Sequence, residues 1–145
     1  MNEQRKLKTS VEFLDHTGDI GIRLSAPDLS ILFKTALFSM FEIICPHQRV
    51  GNDTSVSVSV CGDDLEQLLV NWLSEFNYLF QTEAFLPGDI PSISVNGLKA
   101  EASVSGETVV PGIHHLHTEI KAVTYHKLYV RRKGAVWQAR VIFDI

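Results

Sequence analysis

The spacing of apolar residues between positions 65 and 80 restricts the fold of this chain more than any other feature. Leu65, Leu68, Leu69, Trp72, Leu73, Phe76, Leu79 and Phe80 recur at steps of three and four, which winds them onto one stripe of an α-helix. Such a helix is stable only when its stripe is covered, so the rest of the chain must supply another layer. Asp63 is placed to cap its start, with Glu66 as capping-box partner.

A second stripe precedes the first. Leu29, Leu32, Phe33, Ala36, Leu37, Met40, Phe41 and Ile44 repeat the spacing, and Pro46 ends the run. Ser25 with Asp28 three residues later reads as its cap, and Pro27 falls in the first turn, where a missing N–H costs little. Between the stripes Val56, Val58 and Val60 alternate with Ser55, Ser57 and Ser59, the period of a half-buried strand. Residues 11–14 and 20–24 are short extended pieces around Asp15-His16-Thr17-Gly18-Asp19, a polar loop or bulge. Beyond Pro87 strands are expected at 93–95, 99–104, 119–125, 127–131 and 136–145, with residues 106–117 as a loop. Nothing repeats and no linker-like run divides the chain. The expectation is a flexible extension over residues 1–10 and one α+β domain over 11–145, a mostly antiparallel sheet packed against two amphipathic helices.

A formal net charge of −4, from 17 acidic and 13 basic side chains, disfavours tight binding of nucleic acid through many phosphates. Charge can still be segregated: Arg5, Lys6 and Lys8 at one end, and Arg131, Arg132 and Lys133 near the other, are basic patches either of which could touch a partner. Cys45 and Cys61 form no paired motif, which suits a reducing compartment. The first ten residues lack an apolar signal segment, and no uncharged run of about 18 apolar residues occurs. A cytoplasmic protein is expected.

The candidate chemistry lies at two places. In the final strand, alternation puts Trp137, Ala139, Val141, Phe143 and Ile145 on one face and turns Asp144 to the other. As the last residue, Ile145 brings its α-carboxylate beside the Asp144 side chain, and two anions held together favour a cation between them. Hard oxygen donors select calcium, magnesium or manganese. Asp15, His16 and Asp19 supply two carboxylates and an imidazole at the earlier break, and the two ends could meet across a sheet. On spacing alone, Asx-type hydrogen bonding is the stronger reading of an Asp-rich turn, and metal binding the weaker. From the residues alone Lys121 reads as a snorkelling or salt-bridged strand residue rather than a catalytic base, and His126 as a hydrogen-bonded residue rather than a ligand. His114, His115 and His117 have no partner pair at zinc-finger spacing. No phosphate-binding loop, nucleophile elbow or metalloprotease motif is present. The helical aromatics sit at core positions, whereas Tyr78 and Tyr129 are free to face a partner.

Three segments together, Leu14-Asp15-His16-Thr17-Gly18-Asp19-Ile20-Gly21, Glu119-Ile120-Lys121-Ala122-Val123-Thr124-Tyr125-His126 and Val141-Ile142-Phe143-Asp144-Ile145, resemble the archease family in order and spacing, as do Asp63-Asp64-Leu65-Glu66-Gln67-Leu68-Leu69 and the Trp72-Leu73 pair. The resemblance implies a compact α+β fold and an accessory role without catalysis of its own. Archease-like proteins promote guanylylation and multiple turnover of the RtcB-type RNA ligase, which uses GTP and divalent metal in tRNA splicing or RNA repair. It further implies a metal site, with calcium expected and magnesium or manganese as alternatives. Asp19, Asp144 and the Ile145 carboxylate are its ligands, Asp15 is an additional candidate, and His16, Lys121 and His126 are functional residues nearby. RNA would be met through the ligase. Gly18 departs from the family, which usually carries Ala there, and bears on the rigidity of that loop. Two other classes remain: a chaperone-like accessory of RNA-modifying enzymes, and a small metal-dependent hydrolase.

Overall fold

The computed structural model describes residues 9–145, so the extension through residue 8, with Arg5, Lys6 and Lys8, lies outside the described residues. The elements run β1 (Ser10–His16), β2 (Asp19–Ala26), α1 (Leu29–Ile44), β3 (Thr54–Cys61), α2 (Leu65–Glu83), β4 (Phe85–Asn96), β5 (Lys99–Thr108), β6 (Ala122–Lys133) and β7 (Val136–Asp144). All strand pairings among these elements are antiparallel, but the single sheet expected from the sequence is two. One has the order β1-β2-β7-β6 and the other β3-β5-β4. Both helices touch strands of both sheets, and one core is shared by all the layers.

Both apolar stripes form the expected helices, with the starts shifted. Ser25 cannot cap α1 because it is a β2 residue paired with Ser10 and Gln138. Asp28 is the cap, its side chain accepting from the Ile31 N–H at 2.9 Å. At α2 the cap is Asp64 rather than Asp63, accepting from the Gln67 N–H at 2.7 Å, while the Gln67 side chain accepts from the Asp63 N–H. Glu66, expected in that box, instead accepts from the Val130 N–H of β6 and ties helix to sheet. Trp72 is fully buried, stacks edge-on against Phe76 at 4.8 Å between centroids, and donates its indole N–H to the Phe33 carbonyl at 3.0 Å, pinning α2 to α1.

Several strands run longer than their patterns suggest, and β5 continues to Thr108, taking residues 106–108 out of the expected loop. β4 begins at Phe85 and carries Pro87 and Pro91, tolerated because it is an edge strand broken by register shifts. Its neighbour needs Gly106, since a Cβ there would lie 1.9 Å from the Leu86 carbonyl oxygen. The strands expected at 119–125 and 127–131 are one strand, β6, starting at Ala122 and bulging between Thr124 and Tyr129 with Lys127 at φ 52°. Residues 119–121 stay outside it because the buried Ile120 turns its carbonyl to the Asn77 and Gln81 amides. Among the described residues no helix is long and apolar enough to cross a membrane.

Candidate functional site

The segment expected as a polar loop is a tight hairpin. Asp15 and His16 end β1, Asp19 starts β2, and only Thr17-Gly18 turn, with Gly18 at φ 82°. β2 then pairs with β7 so that Asp19 lies opposite Asp144. The Ile145 N–H bonds the Gly18 carbonyl at 3.2 Å, which makes Asp19 and Asp144 the next, non-hydrogen-bonded pair. In such pairs the Cα atoms approach to about 4.5 Å and the side chains are closest. One transverse row therefore holds His16, Asp19, Asp144 and Ala122 across β1, β2, β7 and β6.

Directly opposed residues share a face, and the core residues Ile22, Leu24, Val141 and Phe143 identify the face turned to the helices. Asp19 and Asp144 lie on the other. Asp144 is exposed, Asp19 is half-buried, and the Asp19 Oδ1 atom is buried with no hydrogen-bond partner among the described residues. Asp15 pairs with Ile20 and belongs to the helix-facing row. It adds negative charge at the hairpin end without joining the Asp19–Asp144 row.

The remaining candidates divide. Lys121 is exposed, and its N–H donates to the Asp144 carbonyl at 2.8 Å, so it borders the carboxylate row. The Asn77 and Gln81 amides that grip the Ile120 carbonyl fix this approach. Neither was singled out from the sequence, although Asn77 is a polar residue on a stripe that is otherwise apolar and is itself buried. His16 is exposed at the sheet edge in the Asp19 row. His126 is exposed in the β6 bulge, its N–H donating to Thr124 Oγ1 at 3.3 Å, away from that row.

The three nearby histidines do not converge. His114 is buried. Its Nδ1 accepts from the Val110 N–H at 2.8 Å, which leaves the proton on Nε2 to donate to Glu107 at 2.7 Å. His115 and His117 are exposed. Burial pushes the Cys45 thiol above its ordinary range, so it is held as a thiol.

A carboxylate oxygen buried without a partner, opposite a second carboxylate, is a donor set suited to a hard divalent cation. No three His, Cys, Asp or Glu side chains converge among the described residues. Asp19 and Asp144 are the carboxylate pair that the strand register brings together here.

The model of the Archease protein family (MTH1598/TM1083) matches residues 11–145. The chain is 35% identical over 138 residues to Protein archease of Methanosarcina mazei, covering 92% of this chain and 94% of that protein. It is 30% identical to Protein archease of Sulfolobus acidocaldarius, covering 94% and 99%. The solution structure of protein 1598 of Methanobacterium thermoautotrophicum superposes with a TM-score of 0.81 at 29% identity, covering 93% of this chain and 98% of that one. The crystal structure of a Thermotoga maritima protein described as an archease and possible chaperone superposes with a TM-score of 0.58 at 22% identity, covering 91% and 94%, and so shares the fold.

Proposed function

This chain belongs to the archease family, and on that premise we propose that it activates an RtcB-type RNA ligase, promoting guanylylation and repeated turnover without performing the chemistry itself. The observation that carries the reading is the unpartnered, buried Asp19 Oδ1 opposite Asp144 at one end of the four-stranded sheet. Asp19, Asp144 and the Ile145 carboxylate are assigned as ligands of a divalent cation, calcium first and magnesium or manganese as alternatives. When bound, that cation supplies a positive centre able to accept an oxygen from the partner.

The chain's own residues do the positioning. The two-residue turn and the Ile145-to-Gly18 bond hold the ends of β2 and β7 in register, and the Ile120 anchor sets Lys121 at the rim. Lys121 then offers an ammonium to phosphate oxygens, with His16 and His126 as further contacts. An acidic tip of this kind, docked near the ligase's nucleotide pocket, would favour the conformation competent for nucleotide transfer.

The test is GTP-dependent guanylylation and multiple-turnover RNA joining by a cognate ligase. Stimulation by the wild type that is lost in a folded Asp144→Ala variant supports the proposal, and full stimulation by that variant rejects it. A second reading, a chaperone-like accessory of RNA-modifying enzymes, draws on the apolar groove between β1 and α1, where Val11 and Phe13 are exposed beside Ile31 and Phe38. It takes over if the wild type gives no stimulation and instead suppresses aggregation of client enzymes.

A further inference from the structure

The helix-averted face of the four-stranded sheet changes sign along its length. Beyond the Asp19–Asp144 row comes an apolar strip in which Leu14 and Ile142 close over Gly21. Next, Glu12, Arg23, Arg140 and Tyr129 lie opposite one another across the four strands, followed by Ser10, Ser25, Gln138 and Arg131. Lys133 projects on the same side two residues after Arg131. Between these rows is a concavity of about 320 Å³ lined by Arg23, Tyr129, Arg131 and Lys133.

Glu12 accepts from Arg23 at 2.6 Å, an ion pair that neutralises both. Arg131, Lys133 and Arg140 form no ion pair among the described residues, and Arg140 Nε is buried with no hydrogen-bond partner among them. In a chain of formal net charge −4, three uncompensated cations on one sheet face are a segregated charge. The Arg131 guanidinium lies over the Tyr129 ring at 4.1 Å from its centroid, so a flat π-surface is held among the cations.

We infer that this face docks a single-stranded nucleic acid, with phosphates on Arg131, Lys133 and Arg140 and a base stacked on the Arg131–Tyr129 pair. An acidic peptide would use the charges but gain nothing from the stacked plane. The Asp19–Asp144 row, four residues or about 13 Å along the strands, repels phosphates and confines the ligand to the far rows. The inference does not depend on the metal reading.

Fluorescence anisotropy with a short labelled oligouridylate, in EDTA, tests it. Three phosphate contacts predict a slope of log affinity against log salt of about −2, a roughly 20-fold loss between about 50 and 200 mM. Arg131→Ala combined with Lys133→Ala leaves one contact and only about a 3-fold loss over that range, from weaker starting affinity. These side chains are exposed, and an unchanged circular dichroism spectrum confirms that the variant is folded. Arg131→Lys keeps the slope but lowers affinity, because the ammonium has no plane. Asp144→Ala retains binding, which separates this surface from the carboxylate pair. Absence of binding at low salt, or equal slopes for wild type and double variant, overturns the inference. So does competition by polyglutamate as effective as by unlabelled RNA, which would mark the face as a site for acidic protein.

Discussion

Asp144→Asn should reverse its effect on stability with the addition of a divalent cation. Side chains directly opposed on antiparallel strands lie roughly 5 Å apart at Cβ. Two unit charges at that distance repel by about 0.8 kcal/mol in water and about 3 kcal/mol at the effective dielectric of a protein surface. Asp144 is exposed and Asp19 half-buried, so relief near the lower bound, about 1 kcal/mol, is expected. For a chain of 145 residues that corresponds to a rise in thermal midpoint of about 2–4 °C in EDTA. Calcium at a hundredfold excess over its dissociation constant would stabilise the wild type by about 2.7 kcal/mol and the variant far less, since the pair is broken. Differential scanning fluorimetry should therefore rank the variant above the wild type in EDTA and below it in calcium. The same ranking in both buffers, whichever protein leads, would refute the assignment of Asp19 and Asp144 as a cation-binding pair.

Three further outcomes follow from the packing. His114→Ala leaves Glu107 and the Val110 N–H without their partner and should cost about 2–4 kcal/mol in urea unfolding, with ligase stimulation retained once folded. Asp64→Ala removes the α2 cap and should lower stability by about 1 kcal/mol, whereas Asp63→Ala, whose side chain is not the cap, should cost less. Burial raises the Cys45 thiol above its ordinary value, so the folded state binds its proton more tightly than the unfolded chain. The associated stability is present below about pH 9 and lost as pH rises through the folded-state value. The alkaline fall in thermal midpoint should be steeper in wild type than in Cys45→Ala.

The helices were legible because each stripe repeats many times and one misread residue does not rotate it. Their caps were not, because Asp63 and Asp64 are equally suitable side chains. The choice between them rests on backbone conformation and on Glu66 being drawn to Val130 of a distant strand. The bulge that joins two expected strands into β6 depends on Lys127 adopting positive φ, which no glycine announces. At the site, spacing named the residue types and allowed the two ends to meet, but it did not say which carboxylates lie opposite each other. Whether Asp15 or Asp19 meets Asp144 is decided by the β2–β7 register, and shifting it by one residue exchanges the two faces.

The same dependence on register decides how charge is distributed over the sheet, which the net value averages. Arg23 of β2 is far in sequence from Arg140 of β7 and Arg131 of the adjoining β6, and the β2–β7 pairing sets it opposite Arg140, one row from Arg131. Ile22, Leu24, Val130, Ala139 and Val141, which alternate with them, are apolar and face the helices. Alternation thus places Glu12, Arg23, Arg140, Arg131 and Lys133 on the helix-averted face with Asp19 and Asp144, and register sorts them lengthwise into an acidic end and a basic body. Both proposals need that sorting, since a cation held at one end and phosphates met at the other call for opposite signs, which the net −4 averages away.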